Sequence, residues 1–287
     1  MERFKLKETI LSKLRDLPTL PDVANKVMEI ASNPRSSAAD MGKVISQDQS
    51  LTARILRLVN SAYYGFPRKI STVTQAVVIL GFRTVRDLVL SISVSELFKG
   101  KKQAGMDVEA LWLHNLGVAV TSKILAQRID YDQPDEAFTA GLLHDLGKLV
   151  LIKFMPKDYE KVATIAKNGG KWIRDVEEGI LGVDHAVVGK WVAEKWKFPP
   201  QLTHAILMHH QPQAENEYPE LVSIVHGADV FARIKKIGSG GDDQIPSLKK
   251  EAWVILKLNP KDLDEIYAQI DEEMNNARSF FEALRKG

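Results

Sequence analysis

Apolar residues recur along most of this chain at helical spacing. Leu6, Ile10, Leu14 and Leu17 fall at i, i+4, i+8 and i+11 and mark a first amphipathic helix. Pro18 and Pro21 break it, and Asp22 reads as the cap of a second helix that runs to about Ala31. Asn33-Pro34 makes a turn. Ser37 starts a third helix carrying Met41, Val44 and Ile45, and Leu51 to Asn60 reads as a fourth, capped by Asp48 or Ser50. The loop Tyr63-Tyr64-Gly65-Phe66-Pro67 is followed by helices over Thr74 to Leu80 and Arg83 to Phe98, then by a short polar linker, Gly100 to Gly105. Helices are predicted at about 108–129, 135–154, 158–168, 172–180, 184–197, 199–210 and 218–237. The segment Ile237 to Ser247 reads as a mobile surface loop. Ile266, Ile270, Met274, Ala277 and Phe281 then share one stripe of a last helix, from Leu263 to Leu284. Packing of that stripe back on the bundle is favoured over pairing with a partner helix. Strand-type alternation is absent, so the expected fold class is all-α.

The 287 residues carry no cysteine, which removes disulfides, thiolate metal sites and a cysteine nucleophile together. Any metal must then be held by His, Asp or Glu. No apolar run approaches the roughly 20 residues that span a bilayer, and the N-terminus lacks a signal-peptide apolar region. A cytoplasmic location without membrane attachment is the expectation. The net charge of +2 hides an asymmetry, because the first 100 residues hold 15 basic and 9 acidic side chains. That excess is too diffuse to call for nucleic acid, which is not an expected partner. Met41 to Asn60 fits a helix-turn-helix with Ser46 to Ser50 as its turn, yet its many apolar positions are better explained by bundle packing. Asn60 and the aromatics after it are expected to cap the fourth helix and fix the following loop.

All seven histidines lie between His114 and His226. His144 and Asp145 are adjacent polar residues inside the apolar segment Ala140 to Val150, where an unpartnered carboxylate would be costly. A divalent cation would supply the partner, and imidazole with carboxylate suits Fe, Mn, Ni or Zn. Neighbouring helix positions diverge by about 100°, so both can face one ion only at a kink or a crossing. Asp145 could then bridge two ions, and Gly141 and Gly147 would let other helices approach. His209-His210 ends another apolar helix. His185 lies near the start of a further one, while His114 and Asp229 are polar positions in otherwise apolar helices. His204 reads as a packed or surface residue, and His226 as a support for the site rather than a ligand.

His144-Asp145 with Gly147-Lys148 resembles the HD signature of the HD superfamily of metal-dependent phosphohydrolases. The order His114, His144-Asp145, His185, His209-His210, Asp229 resembles the ligand order of its HD-GYP branch. Residues 17–235 as a whole resemble the HDOD family, the HD-related output domains of bacterial signalling proteins. LPTLPDVANKVMEI, VISQDQSLTARILRLVNSAYYG and ISTVTQAVVILGFRTVRDLVL are similar to that family's first half, and LWLHN, AGLLHDLGKLVL, HAVVGKWVAEKWKFP and AILMHHQP to its second.

The resemblance implies an HD-domain-like multi-helix bundle with an N-terminal helical subdomain. The divisions read from the sequence are 1–100, 106–237 with the His/Asp cluster, and 238–287. It implies a regulatory module that works mainly through contacts with signalling proteins. Its HD site would hold one or two divalent transition-metal ions on His114, His144, Asp145, His185, His209, His210 and Asp229. The alternative is a metal-dependent phosphohydrolase acting on a nucleotide, cyclic dinucleotide or other phosphoester, with Asp145 and Lys148 as catalytic residues. Lys148 is expected either to pair with a phosphate oxygen or to be solvated. Gln211-Pro212-Gln213-Ala214 stands where the glycine-tyrosine-proline signature would follow the His pair, and Ala110 replaces a glutamate used by some relatives. Both departures argue against cyclic-di-GMP hydrolysis.

Overall fold

In the computed structural model the described residues are 2–97 and 102–285. The helices are, in chain order, α1 (Glu2–Arg15), α2 (Asp22–Ser32), α3 (Ala38–Ile45), α4 (Gln49–Val59), α5 (Val73–Leu80), α6 (Phe82–Leu97), α7 (Val108–Arg128), α8 (Pro134–Leu143), α9 (Leu146–Phe154), α10 (Pro156–Gly169), α11 (Ile173–Leu181), α12 (His185–Lys195), α13 (Pro200–Met208), α14 (Pro219–Ile234), α15 (Lys250–Ile255) and α16 (Leu263–Arg285). The all-α expectation holds. The one ladder among the described residues joins β1 (Lys102–Gln103) to β2 (Met106–Asp107). Lys102 pairs with Asp107 and Gln103 with Met106. The described part of the predicted linker is therefore a tight hairpin, with Ala104 and Gly105 both at positive φ (51° and 73°) in its turn. Phe98 and residues 99–101 lie outside the described residues.

The chain divides into two compact units, Thr19–Lys99 with Asp271–Gly287, and Met1–Pro18 with Gly100–Ile270. In the first, capping sets the helix starts. Ser37 and Asp40 form a capping box on α3, and Asp48, not Ser50, caps α4 by accepting from Leu51 N–H at 2.9 Å. Asp22 is not a cap: Pro21 occupies that position, and Asp22 is the first helical residue. The apolar faces of α3 and α4 are both buried, and Arg54 of α4 is turned inward, 2% exposed, with Nη2 donating to Ser95 Oγ at 3.1 Å. Bundle packing thus accounts for this pair, as the sequence suggested.

Asn60 does what its position at the end of α4 suggests. Its Nδ2 donates to Leu56 O (2.7 Å) and Ile70 O (2.8 Å), and its Oδ1 accepts from Ile70 N–H (2.8 Å). Asn60→Ala is expected to lower unfolding free energy by about 2 kcal/mol, since it strands a buried peptide as well as losing the bonds; urea denaturation would measure it. Tyr63 packs on Phe280 at 5.4 Å between ring centroids. The C-terminal stripe therefore does pack back, with Ile266, Ile270, Ala277 and Phe280 buried. Phe280 is its aromatic, and the side chain of the expected Phe281 lies outside the described residues.

The second unit positions the histidines. α7 is buried on nearly every side and packs against α8 and α14. The predicted helix over 135–154 is two helices, α8 and α9, and the break between them is His144-Asp145 itself. Two glycines allow the crossings there. A Cβ on Gly141 would lie 2.8 Å from Val118 O of α7, and one on Gly147 would overlap His185 O of α12 and sit 2.7 Å from Gly189 N. No helix among the described residues is long and apolar enough to cross a membrane.

The segment expected to be a mobile surface loop is tied down. Ser239 N–H bonds Ala110 O (3.0 Å), while Asp242 accepts from Ile173 N–H (3.0 Å) and from Arg233 Nη1 (2.9 Å). Its glycine-rich, polar sequence reads as mobile because each of those partners lies elsewhere in the chain.

Candidate metal centre

The helix break turns His144 and Asp145 toward one point. α8 ends at Leu143 and α9 starts at Leu146, so neither side chain is bound to the 100° step of a continuous helix. His209 and His210 follow the end of α13 in the same way. His114 projects from the middle of α7, His185 from the first position of α12 and Asp229 from α14. All seven predicted ligands meet. His114, His144 and Asp229 form one mutually close group of ligand atoms, His185, His209 and His210 a second, and His144, Asp145 and His209 a third, each within 4.8 Å.

Hydrogen bonds to carbonyl oxygens fix the tautomers, because a carbonyl only accepts. His144 Nδ1 donates to Gly141 O at 2.7 Å and His209 Nδ1 to Ile206 O at 2.8 Å. Each ring therefore presents its Nε2 lone pair to the centre. His226 Nδ1 donates to His209 O (2.9 Å) and its Nε2 accepts from Lys249 N–H (3.2 Å), so both ring nitrogens are engaged and the side chain braces the end of α13. His204 stands apart against the Tyr218 ring, 5.7 Å between centroids.

The separations inside the cluster match ligands sharing an ion. His114 Nε2 lies 3.1 Å from Asp229 Oδ1, His144 Nε2 3.4 Å from Asp145 Oδ2, and His185 Nε2 3.3 Å from Asp145 Oδ1. His185 and His210 face each other Nε2 to Nε2 at 2.9 Å, a contact that needs a proton or a cation between the lone pairs. Ligands bound at about 2.1 Å stand roughly 3.0–3.4 Å apart in octahedral or tetrahedral geometry. His209 Nε2 and Asp145 Oδ1 are buried without a hydrogen-bond partner, a costly state for polar atoms. The donor set and these orphaned atoms fit a divalent transition metal.

Electrostatics keep the donors ready. Burial pushes His144 down to about 4, and burial together with neighbouring imidazoles holds His209 and His210 well below the usual histidine range. All three are thus neutral near pH 7. For Asp145 burial opposes ionisation, but His144, Lys148 and His185 outweigh it and hold the carboxyl well below the usual range. Asp229 behaves likewise, with Arg233 as its main counter-charge.

Lys148 is wholly buried, with Nζ 2.7 Å from Asp145 Oδ2. It is neither solvated nor on the wall of the adjoining cleft; it is the counter-ion that orients Asp145. That cleft, about 530 Å³, opens on the cluster and is lined by Trp172, Arg174, His185, His210, Asp229 and Lys249 among others. It is large enough for an organic phosphoester.

Three supporting residues escaped the sequence reading. Glu177 accepts from His185 N–H, His185 Nδ1 and Tyr159 Oη, the last at 2.7 Å. It had a legible signal: it shares the buried stripe of α11 with Ile173, Val176 and Leu181. Arg233 had one too, lying four residues after Asp229, and its Nε donates to Asp229 Oδ1 at 2.9 Å. Asp242, in an irregular segment, had none.

Comparison with known proteins agrees with this picture. The HDOD domain profile matches residues 17–212, which include six of the seven clustered residues and stop short of Asp229. An HDOD domain protein of unknown function from Geobacter sulfurreducens superposes with a TM-score of 0.75 at 28% identity, covering 94% of this chain and 98% of that one. A candidate phosphohydrolase from Shewanella amazonensis SB2B superposes at 0.73 and 26% identity, covering 97% of each. An uncharacterized protein of Treponema pallidum (strain Nichols) is 28% identical over 247 residues, 84% of this chain; the chain spans 47% of that protein's length. The fold, the His/Asp order and the profile match over most of the chain agree, and the chain belongs to the HDOD domain family, which is related to metal-dependent phosphohydrolases.

Proposed function

We propose that this protein is a bacterial signalling module of the HDOD family whose second unit is a working divalent-metal centre, with output through contacts to other signalling proteins. One observation carries the metal part of the reading: Nε2 of His209 and Oδ1 of Asp145 are buried and unpartnered, and the opposite nitrogen of the His209 ring is anchored. His114, His144, Asp145, His185, His209, His210 and Asp229 would hold one or two ions of Fe, Mn, Ni or Zn. Such a centre ties α7, α8, α12, α13 and α14 together, so ion binding stabilises the fold. Chelated protein reconstituted with Mn²⁺ or Fe²⁺ is expected to bind one or two ions per chain. Its melting temperature should rise by about 5 °C or more at saturating metal. No bound metal and an unchanged melting curve would contradict the reading.

The cleft favours a second reading, hydrolysis of a phosphoester. When bound, divalent cations there polarise a phosphoryl oxygen and make water a stronger acid. The chain supplies the rest: Lys148 fixes Asp145, Glu177 fixes His185, and Arg174 and Lys249 place cationic side chains on the cleft wall. A panel of phosphomonoesters, phosphodiesters, nucleotides and cyclic dinucleotides tested on metal-loaded protein separates the two. Turnover at ordinary enzyme rates supports the hydrolase, and metal-loaded protein without turnover supports the signalling module.

A further inference from the structure

We propose that the cluster holds two ion positions of unequal affinity, the tight one on the side of His185, His209 and His210, and that Glu177 and Arg233 set the difference. The inference rests on the metal-centre reading above.

On the tight side Glu177 is completely buried and receives three hydrogen bonds, from His185 N–H (2.9 Å), His185 Nδ1 (2.6 Å) and Tyr159 Oη (2.7 Å). Both of its oxygens are engaged, Oε2 by His185 twice and Oε1 by Tyr159. No Lys or Arg pairs with it among the described residues. A carboxylate on Nδ1 fixes the ring and makes its Nε2 a stronger donor to a metal. Asp145 adds its unpartnered Oδ1 to the same side, 3.3 Å from His185 Nε2, while its Oδ2 is occupied by Lys148.

On the other side the carboxylate is already taken. Asp229 Oδ1, the oxygen that faces His114 Nε2 at 3.1 Å, accepts from Arg233 Nε at 2.9 Å. The guanidinium occupies a lone pair of the very atom that would bind an ion and sets a positive charge against it. Arg233 is not free to swing away, because its Nη1 is bonded to Asp242 Oδ1 (2.9 Å) and Gln244 O (3.1 Å). His144, the remaining member of that group, has only a backbone carbonyl on its Nδ1. One position thus has a buried carboxylate behind its ligand, and the other has a cation bonded to the carboxylate oxygen that would be its ligand.

The test is a Mn²⁺ titration of the metal-free full chain, with free Mn²⁺ read by electron paramagnetic resonance and folding checked by circular dichroism. Wild type is expected to bind one ion tightly and a second at least about tenfold more weakly. Glu177→Gln should weaken the first step by about 10- to 100-fold and leave the second in place. Arg233→Gln should strengthen the second step by about tenfold, and Arg233→Lys, which keeps the charge, should preserve the gap. Two equal steps in wild type, or an unchanged gap in Arg233→Gln, overturn the inference and leave the metal centre standing. If Arg233→Gln does not fold, an unshifted first step in Glu177→Gln overturns it instead. Wild type that binds no Mn²⁺ overturns the metal-centre reading itself.

Discussion

Asp145→Ala is expected to abolish metal binding and to destabilise the fold by about 3–5 kcal/mol. Both effects follow from one carboxylate. Its Oδ1 is the buried, unpartnered oxygen beside His185, and its Oδ2 is the acceptor for Lys148. Lys148 has no exposed surface, so removal of Asp145 leaves a buried ammonium without its counter-ion. Breaking one partner of a buried pair costs several kcal/mol, whereas replacing both by apolar groups is often close to neutral. The double variant Asp145→Ala/Lys148→Met is therefore expected to regain most of the stability but none of the metal. Denaturant unfolding and elemental analysis of the two variants measure the two effects separately. A single variant with wild-type stability and wild-type metal content would remove Asp145 from the centre of this account.

Gly147→Ala is expected to cost about 3 kcal/mol or more and to lower metal content as well. The added Cβ meets only backbone, His185 O on one side and Gly189 N on the other, so no side-chain rotation relieves the overlap. α9 and α12 must separate, which draws His185 away from Asp145. Gly189→Ala provides the contrast in the same crossing. Its Cβ would meet first the Ile206 Cγ2 methyl at 2.6 Å, which can shift, and a cost of only about 1 kcal/mol is expected. Equal effects of the two substitutions in thermal or urea unfolding would show that the α9–α12 contact is not what positions His185.

Much of this arrangement was legible from the residues. Helix identity followed from apolar spacing because most helices bury one face, and the ligands stood out because polar side chains inside apolar helices need a partner. The same logic would have found Glu177, a carboxylate on the buried stripe of α11, and Arg233, one turn from Asp229. The split of 135–154 into α8 and α9 was harder to see. Leu142 to Val150 stays helix-compatible throughout, and only the demand that His144 and Asp145 face one point signals a break. The pinned segment 237–247 was not legible at all. Asp242 is bonded to Ile173, 69 positions earlier, and to Arg233. Contacts set by tertiary structure leave no local pattern, and glycine-rich polar sequence looks the same whether or not such partners exist. The short hairpin at 102–107 was hidden for a similar reason, since two-residue strands carry no alternation to read.

The most direct test is anomalous diffraction from crystals of the metal-reconstituted protein, recorded on both sides of the Mn or Fe absorption edge. A strong peak is expected among His185 Nε2, His209 Nε2 and Asp145 Oδ1, with any weaker peak between His114, His144 and Asp229. An empty cluster in crystals shown to have been soaked with metal, its imidazoles bonded only to one another and to backbone, would overturn the metal centre.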